Sequence, residues 1–240
     1  MYLLKYEEVK FMYTTEELQI LKGVLYDKSC TCPLCNHAFT TKTIKVGKNQ
    51  VTSIDEDLYP HYSLVNPLLY DVITCPTCGY SALTKSFTSL LPKQKEWLSA
   101  HFHKGAKSPS YGEYTTIDEA INKHKIALVA CMTRKSKLGE QAYLALHIAW
   151  LYRDKGSTEE ELSFIRRAYE GFSEALTKET FPILGLDEAT VMYMLAAMAH
   201  QLDKLDECKQ YLSAIITMHG LSPRLKTHAT NLKNKIFEKK

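Results

Sequence analysis

Apolar residues follow two different rhythms along this chain. Before residue 116 they come in short alternating runs broken by Pro, Gly and Asn; beyond it they recur three and four apart. The first part opens with Thr14-Thr-Glu-Glu17, the order of a reciprocal helix cap. Leu18, Leu21 and Leu25 follow at helical spacing, so a short helix is predicted ahead of the first cysteines. In "TIKVGKNQVTSI", Ile44 and Val46 alternate with lysines, Gly47-Lys48-Asn49 offers a turn, and Val51 resumes: strand, turn, strand. "YDVITC" is a third strand running into Cys75. Pro92 opens a helix through "KQKEWLSAHF", and 103–116 gathers Gly, Ser and Pro into a loop.

The second part reads as helices throughout. Thr116-Ile-Asp-Glu119 repeats the capping order. Leu138, Ala142, Ala145, Ala149 and Tyr152 mark a helix that stops near Gly156, and Ser157-Thr-Glu-Glu160 caps the next, with Ile165, Ala168, Tyr169, Phe172 and Ala175 on one face. A helix from Asp187 to about 203, another on "DECKQYLSAII" and a last one opened by Ser222-Pro223 complete the chain. Helices joined this tightly are antiparallel neighbours. Met192, Leu195, Ala196, Ala199, Leu205, Cys208, Leu212 and Ile215 follow the size pattern of a tetratricopeptide unit, and the preceding pair matches after an insertion around 156–162. The Trp-Leu-Gly-Tyr spelling of that repeat is missing.

The fold expected is therefore α+β. A small zinc-ribbon-like module with short antiparallel strands and flanking helices (1–104) leads through a linker (105–116) to an all-α tetratricopeptide-like helical-hairpin domain (117–240). Composition changes little: 45% hydrophobic and 24% charged residues are ordinary for a soluble protein. The net charge of +3 gives no strong push toward phosphate backbones or anionic lipid. Lys5, Glu7, Glu8 and Lys10 interrupt the opening residues, so they do not read as a signal peptide, and no stretch is apolar for the length of a membrane span. A cytoplasmic protein is expected, in which seven cysteines serve as thiols or metal ligands.

Two stretches carry chemistry. "CPLCNH" and "CPTCGY" share one spelling: Cys-Pro-x-Cys followed by a residue that tolerates positive φ, Asn36 in one and Gly79 in the other. Four thiolates from two such turns suit a tetrahedral Zn²⁺, giving Cys32, Cys35, Cys75 and Cys78 as the ligand set. Four protein ligands leave no open position, so the zinc is expected to be structural. Cys30 is an alternative ligand or a redox thiol, with a free surface thiol the plainer reading; His37 suits a supporting or solvated role.

"CPLCNHAF", "DEDLYPHYSLVNPLLYDVITCPTCGYSA", "AINKHKIALVACM" and "LHIAWLYRDKG" together resemble an uncharacterised bacterial family, domain of unknown function 2225, over roughly residues 28–220. The resemblance implies two Cys pairs ahead of tetratricopeptide-like helices and no established activity. Asn36 stands where Gly is usual in that family, and Cys30 is extra. Asp55 and Asp57 invite a catalytic or second-metal reading, but turn capping and solvent exposure explain them more simply, as core cover does for Tyr62 and Tyr70.

Among functions, a protein-interaction scaffold leads, with Tyr143, His147, Tyr193, His200 and Gln201 as partner-binding candidates because they put polar ends beside the packing residues of the helices. A nucleic-acid-binding ribbon is the alternative, using Lys42, Lys45, Lys48, Lys233, Lys235, Lys239 and Lys240. A thiol sensor or enzyme using Cys30 is a third; no nucleophile and base stand at a recognisable spacing.

Overall fold

A computed structural model describes residues 13–103 and 111–238. Part of the expected linker, the charged opening residues, and Lys239 and Lys240 lie outside the described residues. The chain forms short strand pairs followed by helices, an α+β arrangement whose C-terminal part is helical. Helix α1 (Thr15–Val24) leads into β1 (Leu25–Thr31), β2 (Ala38–Ile44), β3 (Val51–Ile54) and β4 (Pro60–Tyr62). A 3-10 turn (Pro67–Tyr70) precedes β5 (Val72–Thr74) and β6 (Ser81–Leu83). Then come α2 (Pro92–Ser99), α3 (Ile117–Thr133), α4 (Leu138–Lys155), α5 (Thr158–Lys178), α6 (Glu188–Gln201), α7 (Leu205–Thr217) and α8 (Pro223–Glu238).

The chain divides into two compact units. One holds the described residues up to Ser53 together with His61–Lys135; the other holds Ile54–Pro60 and the chain from Ser136 onward.

In the first unit, Thr14 and Glu17 cap α1 reciprocally, as their order predicts. β1 pairs antiparallel with β2, from Leu25 opposite Ile44 to Thr31 opposite Ala38. This differs from the expected hairpin across Gly47. Ile44 ends a strand whose partner lies before it, and β3 pairs with β4 instead. The polar run "LYDKSCT" hid β1, because a strand exposed along most of its length carries no apolar alternation. β5 and β6 form a third antiparallel pair around the second cysteine turn. Asn66 caps the 3-10 turn, its Oδ1 accepting from Leu68 N at 2.9 Å. α3, capped by Thr116 and Glu119, packs on β5, β6 and α2.

Two small cores result. Leu21, Val24, Leu25, Val65, Tyr70 and Tyr114 form one. The other gathers Tyr80, Ala82, Leu90, Leu98, Phe102 and Ala130 around three of the cysteines. Tyr70 thus belongs to the core that lies away from the cysteines.

In the second unit α4 packs on α5, α5 on α6, α6 on α7, and α8 on both α6 and α7. Gly156, with φ 77°, ends α4 in the left-handed conformation that glycine adopts without steric cost. The turn to α5 is tight, and Ser157 makes no side-chain cap there. Gly171 is the closest approach of this pair: a Cβ there would stand 2.9 Å from the Ala142 methyl. Ala145, Ala149, Ala196, Ala199 and Cys208 are fully buried, small side chains that let the helices pack closely.

Candidate metal centre

Each Cys-Pro-x-Cys turn closes by the same pair of backbone hydrogen bonds. In the first, Asn36 N donates to Cys32 O and Cys32 N to His37 O, both at 2.9 Å. In the second, Gly79 N donates to Cys75 O and Cys75 N to Tyr80 O, again at 2.9 Å. Asn36 and Gly79 have φ of 59° and 76°, which is why Asn and Gly occupy those places. Pro33 and Pro76 fix φ one residue after the first cysteine of each turn and need no hydrogen-bond partner.

These turns bring Cys32, Cys35, Cys75 and Cys78 together, with all four sulfurs within 4.8 Å of one another. Cys32 lies 3.7 Å from Cys78, and Cys35 3.7 Å from Cys75. A tetrahedron with metal–sulfur bonds of about 2.3 Å has edges of about 3.8 Å, so the spacing fits one metal ion. Cys32, Cys75 and Cys78 are buried and Cys35 partly so. The rings of Tyr80, Phe87, Phe39 and Phe102 pack edge to face or tilted beside them.

The thiol contact between Cys78 and Cys32 lowers the Cys32 pKa, burial opposing, while the same contact and burial raise that of Cys78. Two thiolates at this distance repel, and a cation is what permits both charges. Cys30 is outside the cluster: it sits on β1 opposite Phe39, and burial raises its thiol. The His37 ring stacks on Phe39 and belongs to no ligand cluster among the described residues.

A second constellation lies within the helical unit and was not foreseen. The segment Ile54–Pro60 turns tightly, Asp55 N donating to Tyr59 O at 2.8 Å and Leu58 standing at φ 67°. Asp57, expected at a cap or in water, is 0% exposed. Its carboxylate accepts from Arg153 Nη2 at 2.6 Å and Nη1 at 3.0 Å, from Trp150 Nε1 at 2.9 Å and from Gln201 Nε2 at 3.1 Å. Burial works against that charge, yet the guanidinium, with Trp150 and Gln201, outweighs it and holds the carboxyl below its usual range. Arg153 also donates to Asp55 at 2.8 Å and Glu161 at 2.7 Å.

The neighbouring residues continue the pattern. Tyr193 donates its hydroxyl to Glu56 O at 2.7 Å, while the Glu56 carboxylate meets His200 Nδ1 at 2.7 Å and Lys235 Nζ at 2.6 Å. Tyr59 stacks on Trp150 with centroids 5.0 Å apart and donates to Asp154 at 2.5 Å. His147 stacks between Trp150 and Tyr143. Tyr143, His147, Tyr193, His200 and Gln201 therefore surround one segment of the chain itself, directly or through Trp150. Arg153, at the centre, was not singled out. It lies in the "LHIAWLYRDKG" stretch of the family resemblance, but by itself a basic residue one turn from Gly156 reads as ordinary helix-end charge.

Several of the lysines considered for phosphate are engaged internally. Lys42 pairs with Asp27 at 3.1 Å and Glu113 at 3.4 Å, and Lys45 donates to Gly23 O at 3.0 Å. No helix among the described residues is long and apolar enough to cross a membrane.

Two cysteine turns whose four sulfurs could hold a metal ion, on a unit of short strand pairs, followed by a helical C-terminal part, define the class of this protein. The chain belongs to the family of uncharacterised proteins conserved in bacteria designated DUF2225, which it matches over residues 25–236. No curated protein and no solved structure matches it.

Proposed function

We propose that the protein is a zinc-stabilised interaction scaffold. Zn²⁺ completes the four-thiol site structurally, and the tetratricopeptide-like helical unit is a receptor for short acidic, tyrosine-bearing segments. Among d-block ions a tetrahedral set of four thiolates favours zinc, and a closed site offers water and substrate no coordination position. The observation that carries the receptor reading is the seating of Ile54–Pro60. An Arg, a buried Trp face, a Gln and a His converge from two helices on Asp57, Glu56 and Tyr59. In the resting molecule the chain's own segment takes the place that a partner's segment takes in its complex.

Zinc content tests the first half: purified protein carries one equivalent, and Cys75→Ala with Cys78→Ala loses it. For the second half, a labelled peptide spanning residues 52–62 is added to the full chain carrying Glu56→Ala and Asp57→Ala. Saturable binding is expected, absent in the native chain and abolished when Arg153→Met is added. A folded variant, by circular dichroism, that ignores the peptide rejects the receptor reading.

A further inference from the structure

The first unit contains a cleft of about 260 Å³ that borders the second cysteine turn at Pro76 and that the scaffold reading does not use. Thr41 and Lys42 of β2, Val72 and Thr74 of β5, the stretch from Tyr111 to Thr115, and Lys123 of α3 form its walls. Its two lysines differ. Lys42 is neutralised by Asp27 and Glu113. Lys123 reaches one hydroxyl, donating to Thr115 Oγ1 at 2.8 Å, and lies over the Tyr111 ring at 4.6 Å. No carboxylate forms an ion pair with it among the described residues. Glu119, one turn earlier on α3, spends its carboxylate on Thr116 N and Gly112 N, both at 2.9 Å.

An ammonium has three donors, and Lys123 has one hydrogen-bonded acceptor. A structural lysine in this position would be expected to take an acid partner or carry its charge to water. Instead Lys123 lines a cleft whose other polar side chains include the hydroxyl-bearing Thr40, Thr41, Thr74 and Thr115 and the charged Asp27, Lys42 and Glu113. Tyr111 lines it too, and its hydroxyl is buried with no hydrogen-bond partner among the described residues.

We propose that this cleft is a binding site for a small carbonyl compound, an aldehyde or ketone of a few heavy atoms, which Lys123 captures as a Schiff base. The neutral amine adds to the carbonyl carbon, forming a C–N bond as the C=O π pair moves to oxygen. A proton then passes from nitrogen to that oxygen. The carbinolamine loses the hydroxyl with a second proton as water and leaves the C=N bond, so no oxidant or reductant enters. The Thr115 hydroxyl, 2.8 Å from the amine, can hydrogen-bond the developing oxygen.

The ease of deprotonation favours the step. Burial lowers the Lys123 amine to about 8, against the weaker upward pull of Glu119. The groups facing the cleft are Asp27 of β1, Lys42 of β2, Tyr70 of the 3-10 turn, and Tyr111 and Glu113 before α3. At pH 7 about a tenth of an amine titrating near 8 is neutral, against about 0.04% for an ordinary lysine near 10.4.

The test is reductive trapping of the intact protein with acetaldehyde and cyanoborohydride at pH 7, which supplies the hydride that fixes the imine. Site-resolved mass spectrometry then compares lysines within one molecule. Lys123 is expected to be alkylated at least about tenfold faster than exposed Lys48, with a rate that rises through pH 8 and levels off. Labelling of Lys123 at or below the Lys48 rate overturns the proposal, because it makes the side chain merely structural. A Lys123 rate that still climbs in parallel with Lys48 up to pH 10 does the same. Because both sites are read in the native chain, neither outcome depends on whether a variant folds.

Discussion

Cys32, Cys35, Cys75 and Cys78 meet in one cluster because each turn has the neighbours it needs: Pro33 and Pro76 fix φ after the first cysteine, and Asn36 and Gly79 take positive φ after the second. Cys30 matches in residue type but not in placement. Cys30→Ser is expected to leave zinc content and melting temperature unchanged, whereas Cys32→Ser loses metal; equal losses in both would mean the ligand set is wrong. Asp57 is the opposite case. Its partner stands 96 positions away in sequence, and no local pattern encodes that distance. Removing one member of a buried ion pair leaves a charge without compensation, so Arg153→Ala is expected to cost about 3–5 kcal/mol in chemical denaturation. The pH dependence has a definite sign. Since the folded carboxyl is held below its ordinary value, the unfolded chain binds the proton first as pH falls. The contribution of Asp57 is complete above its unfolded value of about 4 and drains away below it. Asp57→Asn should therefore flatten the acid side of the stability curve, and an unchanged slope there would remove Asp57 from the account.

At the scale of elements, what could be read depended on whether burial leaves a period. Helices α5 and α7 bury one stripe each, α4 and α6 are apolar and buried nearly all round, and all four were visible for that reason, with Gly156 and Asp187 marking ends. Strand β1 is mostly exposed, so its pairing with β2 had no apolar signal, and the Gly47 turn suggested a hairpin that the ladder does not contain. The two cysteine turns are elements of their own, and they differ at one informative place. Gly79 at φ 76° does without strain what Asn36 does at φ 59° with its side chain. Gly79→Ala forces a Cβ into the left-handed region at about 1–2 kcal/mol. If that strain falls on the metal-bound state, zinc affinity drops about tenfold in competition with a chromophoric chelator. Asn36→Gly should be nearly neutral by the same assay. A larger effect at Asn36 than at Gly79 would show that Asn36 contributes through its amide rather than through its backbone.

For the whole molecule, sequence order and structural membership part company. Helix α3 follows the Gly- and Pro-bearing stretch and has the same periodicity as the helices after it, yet it packs on β5 and β6, and its Ala130 lies in the core that surrounds the cysteines. The segment Ile54–Pro60, flanked by strands, belongs with the helices. Both memberships are long-range facts, set by which apolar face finds a partner rather than by which residue comes next. They make the consequence of metal removal specific. Binding free energy at a closed thiolate site is folding free energy, because the unfolded chain has no site to fill. Stripping zinc with a strong chelator should therefore loosen the strands and also α3, although α3 carries no ligand. Helices α4 to α8 pack on one another and should keep their protection. Hydrogen exchange read helix by helix separates the outcomes. Amides of Ala127, Leu128 and Ala130 are expected to lose protection together with those of β5, while Leu144–Ala149 and Leu195–Ala199 remain slow. Had α3 drawn its stability from the helices that follow it, its amides would instead stay protected after chelation and fail only when those helices melt.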